Sequence, residues 1–174
     1  MVCCVEDVLD RCRTLDIMVE QVKLLLEGTG VTYRLIPLTG KAIKVEDVVK
    51  NSKVSIDVKS ICKTIILKSP QGYLGILLKG GDRIDSAKIN SQLGKSRIVR
   101  LDEVKNITGV ELGSVCPLLL QIPLFVDKNV AQLDFINFGT GDPFFGIEIK
   151  FSDLRKLISF QLLDLSVLKN RIKQ

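Results

Sequence analysis

Two apolar runs, Thr64 to Lys68 and Tyr73 to Lys79, flank the turn Ser69-Pro70-Gln71-Gly72, and no other feature of the chain constrains its fold as much. Proline presets a turn dihedral, and glycine accepts the backbone twist that closes a hairpin. Runs of this length rich in Ile and Leu and bounded by turn residues read as strands. A glycine pair with an aspartate, Gly80-Gly81-Asp82, ends the second run.

The rest of the chain alternates strand and helix signals. Val5 to Glu27 repeats apolar residues at steps of three and four, including Val19, Val22, Leu25 and Leu26, which predicts a helix stopped by Gly28 and Gly30. Val31 to Leu38 reads as a strand and Val45 to Lys50 as a short helix. Asp85 is placed to cap a helix that ends at Gly94. Ser96 to Leu101 reads as a strand, and Asp102 as the cap of a helix stopped by Gly109. Leu124 to Val126, Phe135 to Phe138 and Phe144 to Phe151 are further strands. Ser152 is expected to cap a closing helix that runs through Leu162 towards Ile172.

A chain of 174 residues suits one domain with a real core. The expected unit is a single domain over 1–174, with an N-terminal helical extension over about 1–27. The net charge of +5 suits a polyanionic partner without proving one. The longest apolar stretch, Val115 to Val126, is interrupted by Pro117, Gln121 and Pro123 and falls short of the ~20 residues a spanning helix needs. No basic and then apolar leader opens the chain, so a cytoplasmic protein with no membrane partner is expected.

The chain has no histidine, which removes the usual hydrolytic base. Its five cysteines, Cys3, Cys4, Cys12, Cys62 and Cys116, form no C-x-x-C pair. The odd number and irregular spacing argue against a disulfide framework, and a zinc site would need four thiolates. Neither metal nor cofactor is expected. Cys116 lacks any histidine to activate it and reads as a structural or pocket-lining thiol, although a thiol enzyme using Cys62 or Cys116 stays open. Asp127 and Asp142 are candidate pocket residues, but aspartates of this kind are more often turn residues.

Two further features bear on chemistry. Lys63 opens the strand Thr64-Ile65-Ile66-Leu67; taken alone it is a solvated strand end, but an ammonium there can hold an anion. Gly113-Ser114-Val115-Cys116-Pro117 reads alone as a tight turn, but glycine admits close backbone approach and proline stiffens the loop. Its N–H groups can then face a carbonyl.

Four segments in order resemble the YbaK and prolyl-tRNA-synthetase-associated editing domain family. Ile61 to Leu67 resembles that family's Lys-Thr-Leu-Val strand. Gly80 to Ile89 is similar to its turn and helix after the hairpin. Thr108 to Pro117 resembles its Thr-Gly stretch and Gly-x-x-x-Pro loop. Asn137-Phe138-Gly139-Thr140-Gly141, with Ile147-Glu148-Ile149 and Ser152-Asp153-Leu154, completes the order.

The resemblance implies a mixed α/β domain built on a six-stranded barrel-like sheet flanked by helices. It implies a free-standing deacylase of mischarged aminoacyl-tRNA, acting on tRNA for proline that carries a wrong small amino acid. Lys63 and Gly113 would carry catalysis, Lys63 by contacting the terminal adenosine region. Thr64, Ser114, Val115, Cys116, Pro117, Gly139 and Gly141 would bind substrate. The aminoacylated acceptor end of tRNA is the expected partner, with an aminoacyl-tRNA synthetase as a second. The alternative is a non-catalytic module of the same fold that binds RNA or a synthetase. The chain departs from the family at Phe138 before the glycines, at Gly146 where some members are acidic, and at Leu112-Gly113. The amino acid removed is thus open among alanine, cysteine, serine and threonine.

Overall fold

A computed structural model describes residues 17–167. The expected helical stretches over 5–16 and 168–172 lie outside them.

The Ser69–Gly72 turn folds as its residues require. Ser69 pairs with Gly72 across Pro70-Gln71, and the Ser69 hydroxyl accepts from the Gln71 N–H and donates to the Gly72 carbonyl. The strands it joins, β2 (Cys62–Ser69) and β3 (Gly72–Lys79), are antiparallel along their full length. Alternation divides β3 between two layers. Leu74, Ile76 and Leu78 pack towards Ile89 and Leu165, whereas Leu77 enters the main core with Val126, Ile136, Ile147 and Leu154. A strand buried on both faces reads as an almost unbroken apolar run, which is what residues 74–78 are.

Helix α1, seen over 17–26, lays Val22 and Leu26 on the main core. Then follow β1 (Tyr33–Pro37), α2 (Val45–Asn51), β4 (Arg83–Ile84), α3 (Ser86–Leu93), β5 (Arg97–Ile98) and α4 (Leu101–Thr108). The chain closes with β6 (Leu124–Asp127), β7 (Phe135–Gly139), β8 (Phe145–Lys150), α5 (Phe151–Leu157), β9 (Gln161–Leu163) and β10 (Ser166–Val167). Asp85 does cap α3, accepting from the N–H groups of Ala87 and Lys88. Gly109 ends α4 in the left-handed region at φ +75°.

The mixed α/β class holds, but the expected six-stranded barrel does not form. Among the described residues the strands make a five-stranded sheet ordered β5-β2-β3-β6-β9, a three-stranded sheet β1-β8-β7 and the pair β10-β4. Among the described residues a single parallel bridge, Ile61 to Asn137, joins the two larger sheets. One bridge cannot continue a ladder, so the sheet stays open there.

Three local expectations also change. Arg100, not Asp102, occupies the N-cap of α4, because Glu103 reaches back to its N–H. Lys150, not Ser152, is the N-cap of α5. The closing helix stops at Leu157; Gln161–Leu163 instead adds to β6 as a parallel strand. The apolar residues beyond Leu157 suit either period, and the open edge of β6 decides between them.

Candidate functional site

Lys63 sits on β2 opposite Leu78, two residues before the Gly80-Gly81-Asp82 turn that ends β3. Its Nζ donates to the Gly80 carbonyl at 3.0 Å and to the Asp82 carbonyl at 2.6 Å. The lysine is therefore a partly buried, oriented group and not a loose strand end. The turn that orients it is itself tied down. The Gly80 N–H donates to the Ile61 carbonyl at 2.7 Å, and a β-carbon on Gly80 would lie 2.4 Å from Val45.

Lys63 lies where two cavities meet. The outer one is a basin of about 940 Å³ lined by Lys44, Lys59, Lys63 and Lys79, with Ile43 and Val58 among its apolar residues. Glu46 and Asp47 also reach it. Asp47 is occupied in capping α2, accepting from the N–H groups of Lys44 and Ile43, and those two bonds hold its carboxyl below the usual carboxylate range. Four lysines against two acidic residues give the lining of the basin a positive balance.

The inner cavity is a slot of about 170 Å³ that shares Ile43, Lys44, Val45, Ile61 and Lys63 with the basin. Its walls are apolar, from Val45, Val48, Ile65 and Leu112. Ala42, Cys62, Thr64, Gly113, Val115 and Gly139 complete it. The slot thus gathers five residues singled out from the sequence: Lys63, Thr64, Gly113, Val115 and Gly139. The hydroxyl of Thr64 is buried there without a hydrogen-bond partner, which is costly in an apolar wall unless a ligand or water supplies one.

The loop over 113–117 takes its shape from close backbone packing. Gly113 has φ +88°, and a β-carbon there would lie 2.4 Å from the Ala42 carbonyl oxygen. Ser114 is buried; its N–H donates to the Glu111 carbonyl at 3.1 Å and its carbonyl accepts from the Gly141 N–H at 2.7 Å. Its hydroxyl, like the Asn137 amide nitrogen, has no partner. Pro117 opens a buried 3-10 turn, Pro117–Leu119.

Cys116 and Gly141 stand apart from the slot. They line a separate cavity of about 80 Å³ with Met18 and Gln21 of α1. Burial pushes the thiols of Cys62 and Cys116 up to about 12, so neither is a thiolate near neutral pH. Asp142 accepts from the Phe144 N–H at 2.7 Å, as a turn residue does. Asp127 is fully buried and holds the chain near Leu165, away from the slot. Among the described residues no group of three His, Cys, Asp or Glu side chains converges, and no helix is long and apolar enough to cross a membrane.

Lys44, Lys59 and Lys79 were not singled out from the sequence. The signal for Lys79 was present: counting from the turn pairs Cys62 with Lys79, which puts two lysines at one end of the hairpin. Lys44 and Lys59 arrive from other elements, and their convergence is tertiary.

The aminoacyl-tRNA editing domain family matches residues 41–157, which contain both cavities. The chain is 24% identical over 115 residues to the proline–tRNA ligase of Caldicellulosiruptor saccharolyticus, covering 60% of this chain and 20% of the ligase. It is 30% identical over 88 residues to that of Staphylococcus aureus strain Newman, covering 49% of this chain and 16% of the ligase. The chain thus spans about a fifth or less of the length of these two ligases. Among solved structures, the hypothetical protein APE2540 superposes with a TM-score of 0.75 at 23% identity, over 84% of this chain and 99% of the other. A protein provisionally described as a trans-editing enzyme for prolyl tRNA synthetase superposes with a TM-score of 0.71 at 21% identity, over 86% of this chain and 97% of the other. These two share the fold. The match over residues 41–157 goes further: the chain belongs to the aminoacyl-tRNA editing domain family, of the YbaK-like kind.

Proposed function

We propose that the chain hydrolyses the ester of mischarged aminoacyl-tRNA, acting in trans in the cytoplasm on tRNA for proline that carries a small wrong amino acid. The observation that carries this reading is the junction at Lys63 of a wide lysine-lined basin and a narrow apolar slot. A nucleotide with its phosphates suits the first and a small side chain the second. The ammonium of Lys63 acts as an oriented point charge for the phosphate of the terminal adenosine. The N–H groups of Gly113 and Val115, on the slot wall, meet the ester carbonyl as its oxygen becomes negative. Thr64 offers its unpartnered hydroxyl to the aminoacyl group.

No histidine exists and both described thiols are held neutral, so the attacking water is activated by the vicinal ribose hydroxyl of the substrate. Positioning and oxyanion stabilisation are then the protein's contributions.

The test is a deacylation panel of tRNA for proline charged with alanine, serine, cysteine or threonine, with correctly charged tRNA as control. Hydrolysis of at least one mischarged species, greatly reduced in Lys63→Ala, is expected. Tight binding without turnover of any species would overturn the proposal in favour of a non-catalytic RNA-binding module.

A further inference from the structure

Lys63 is oriented by the turn over 80–82, and that turn is held from the opposite side by a buried polar network. The Asp82 side chain is 5% exposed, and its Oδ2 accepts from the Asn129 Nδ2 at 3.1 Å. The same amide donates to the Ser166 hydroxyl at 3.3 Å. The Ser166 hydroxyl donates to the Asp127 Oδ1 at 3.0 Å, and the Asn129 N–H donates to that same oxygen at 3.0 Å. The Asp127 Oδ2 accepts from the Leu165 N–H at 2.8 Å. Donors and acceptors match: the amide gives both its protons, and the hydroxyl accepts one and gives one.

The side of the sheet makes this network relevant to Lys63. By alternation Lys63, Ile65 and Leu67 share one face of β2, and Ile65 and Leu67 pack with Ile84, Ile89 and Leu165. The lysine therefore points towards the layer where β10 and the 127–129 turn lie. Carboxylates this deeply buried are costly without partners; Asp127 accepts three bonds, and the Asp82 carboxylate accepts from Asn129.

We infer that Asn129 is a positioning residue for Lys63. It acts through Asp82: its amide fixes the Asp82 side chain, and the Asp82 and Gly80 carbonyls then fix the ammonium. The effect on deacylation rests on the function proposed above; the effect on the ammonium does not.

Two readouts separate these. The first is the rate at which Lys63 is acetylated by N-hydroxysuccinimidyl acetate in the whole folded chain, followed by peptide mass spectrometry with Lys79 as internal reference. Asn129→Ala should raise Lys63 acetylation severalfold while Lys79 is unchanged. The second is a double-mutant cycle on kcat/KM for the best mischarged tRNA. Asn129→Ala alone should lower it about ten- to a hundredfold, as misplacing a positioning group does, with the loss in kcat more than in KM. In a Lys63→Ala background the same change should cost less than twofold.

Unchanged Lys63 acetylation in a folded Asn129→Ala protein would overturn the inference. So would an equal loss of activity in both backgrounds, which is what general destabilisation produces. Should Asn129→Ala not fold, Ser166→Ala removes one acceptor of the same amide and one donor to Asp127, and leaves the Asn129–Asp82 bond in place. It should shift both readouts in the same direction by a smaller factor, and no shift in either would overturn the inference. A wild-type chain that deacylates nothing would sink the editing function and leave the acetylation result to decide the role of Asn129.

Discussion

Gly139 at the end of β7 lies back to back with Ser114: a β-carbon built on the glycine would stand 2.8 Å from both the carbonyl carbon and the carbonyl oxygen of Ser114. The loop over 113–117 is thus clamped between the end of β7 and the Ala42-Ile43 segment. The glycines of this family-like pattern serve backbone packing as well as the slot they line.

Gly139→Ala and Gly113→Ala should each weaken the fold by about 1–3 kcal/mol, since the added carbon meets backbone and not a flexible side-chain tip. Gly113 has the added strain of φ +88°. Thermal unfolding and deacylation should fall together in both variants. Wild-type stability in Gly139→Ala would show that the contact is not as close as described.

Lys63→Ala should lose deacylation almost completely while the core survives. The loss in stability should be about 1–2 kcal/mol, from two bonds to carbonyls. That is more than a solvated strand end would give. Circular dichroism and single-turnover hydrolysis measured side by side check both halves.

The thiols of Cys62 and Cys116 should resist iodoacetamide at pH 8 in the folded chain and react after unfolding, as peptide mapping would show. Their folded values, about 12, lie above the ordinary 9.0. Between those values the unfolded chain ionises these thiols and the folded chain does not. Their contribution to stability is therefore present below pH 9 and is lost as pH rises towards 12. Cys62→Ser and Cys116→Ser should keep substantial activity.

Lys44→Ala, Lys59→Ala and Lys79→Ala should each weaken binding of tRNA, and each should flatten the salt dependence of log K by about 0.7 if its ammonium meets one single-strand phosphate. Electrophoretic mobility shifts across a salt series measure this. A slope unchanged in all three would remove the nucleic acid from the basin.

A mischarged tRNA whose terminal adenosine lacks the hydroxyl next to the ester should bind normally and resist hydrolysis, with or without EDTA. Full-speed hydrolysis would mean that a group of the protein activates the water.

The β2–β3 hairpin was legible in the sequence because everything that makes it is local: Ser69 bonds to Gln71 and Gly72, and alternation carries the rest. The Asp85 cap and the Gly109 stop were legible for the same reason, each set by dihedrals and bonds within a few residues. Beyond Leu157 the sequence did not discriminate. Leu162 and Leu163 suit a helix as well as a strand, and the unpaired edge of β6, far away in the chain, makes Gln161–Leu163 a strand. The open sheet is likewise tertiary, since among the described residues the Ile61–Asn137 bridge alone joins the halves that a barrel would have zipped together. Within the site, the motifs flagged Lys63 and Gly113, but no periodicity states which way an ammonium points. Its direction comes from Gly80 and Asp82, and through Asp82 from Asn129 and Ser166. Local dihedral preferences are written along the chain, whereas the side-chain bonds that aim Lys63 exist only once β2, the 127–129 turn and β10 have come together.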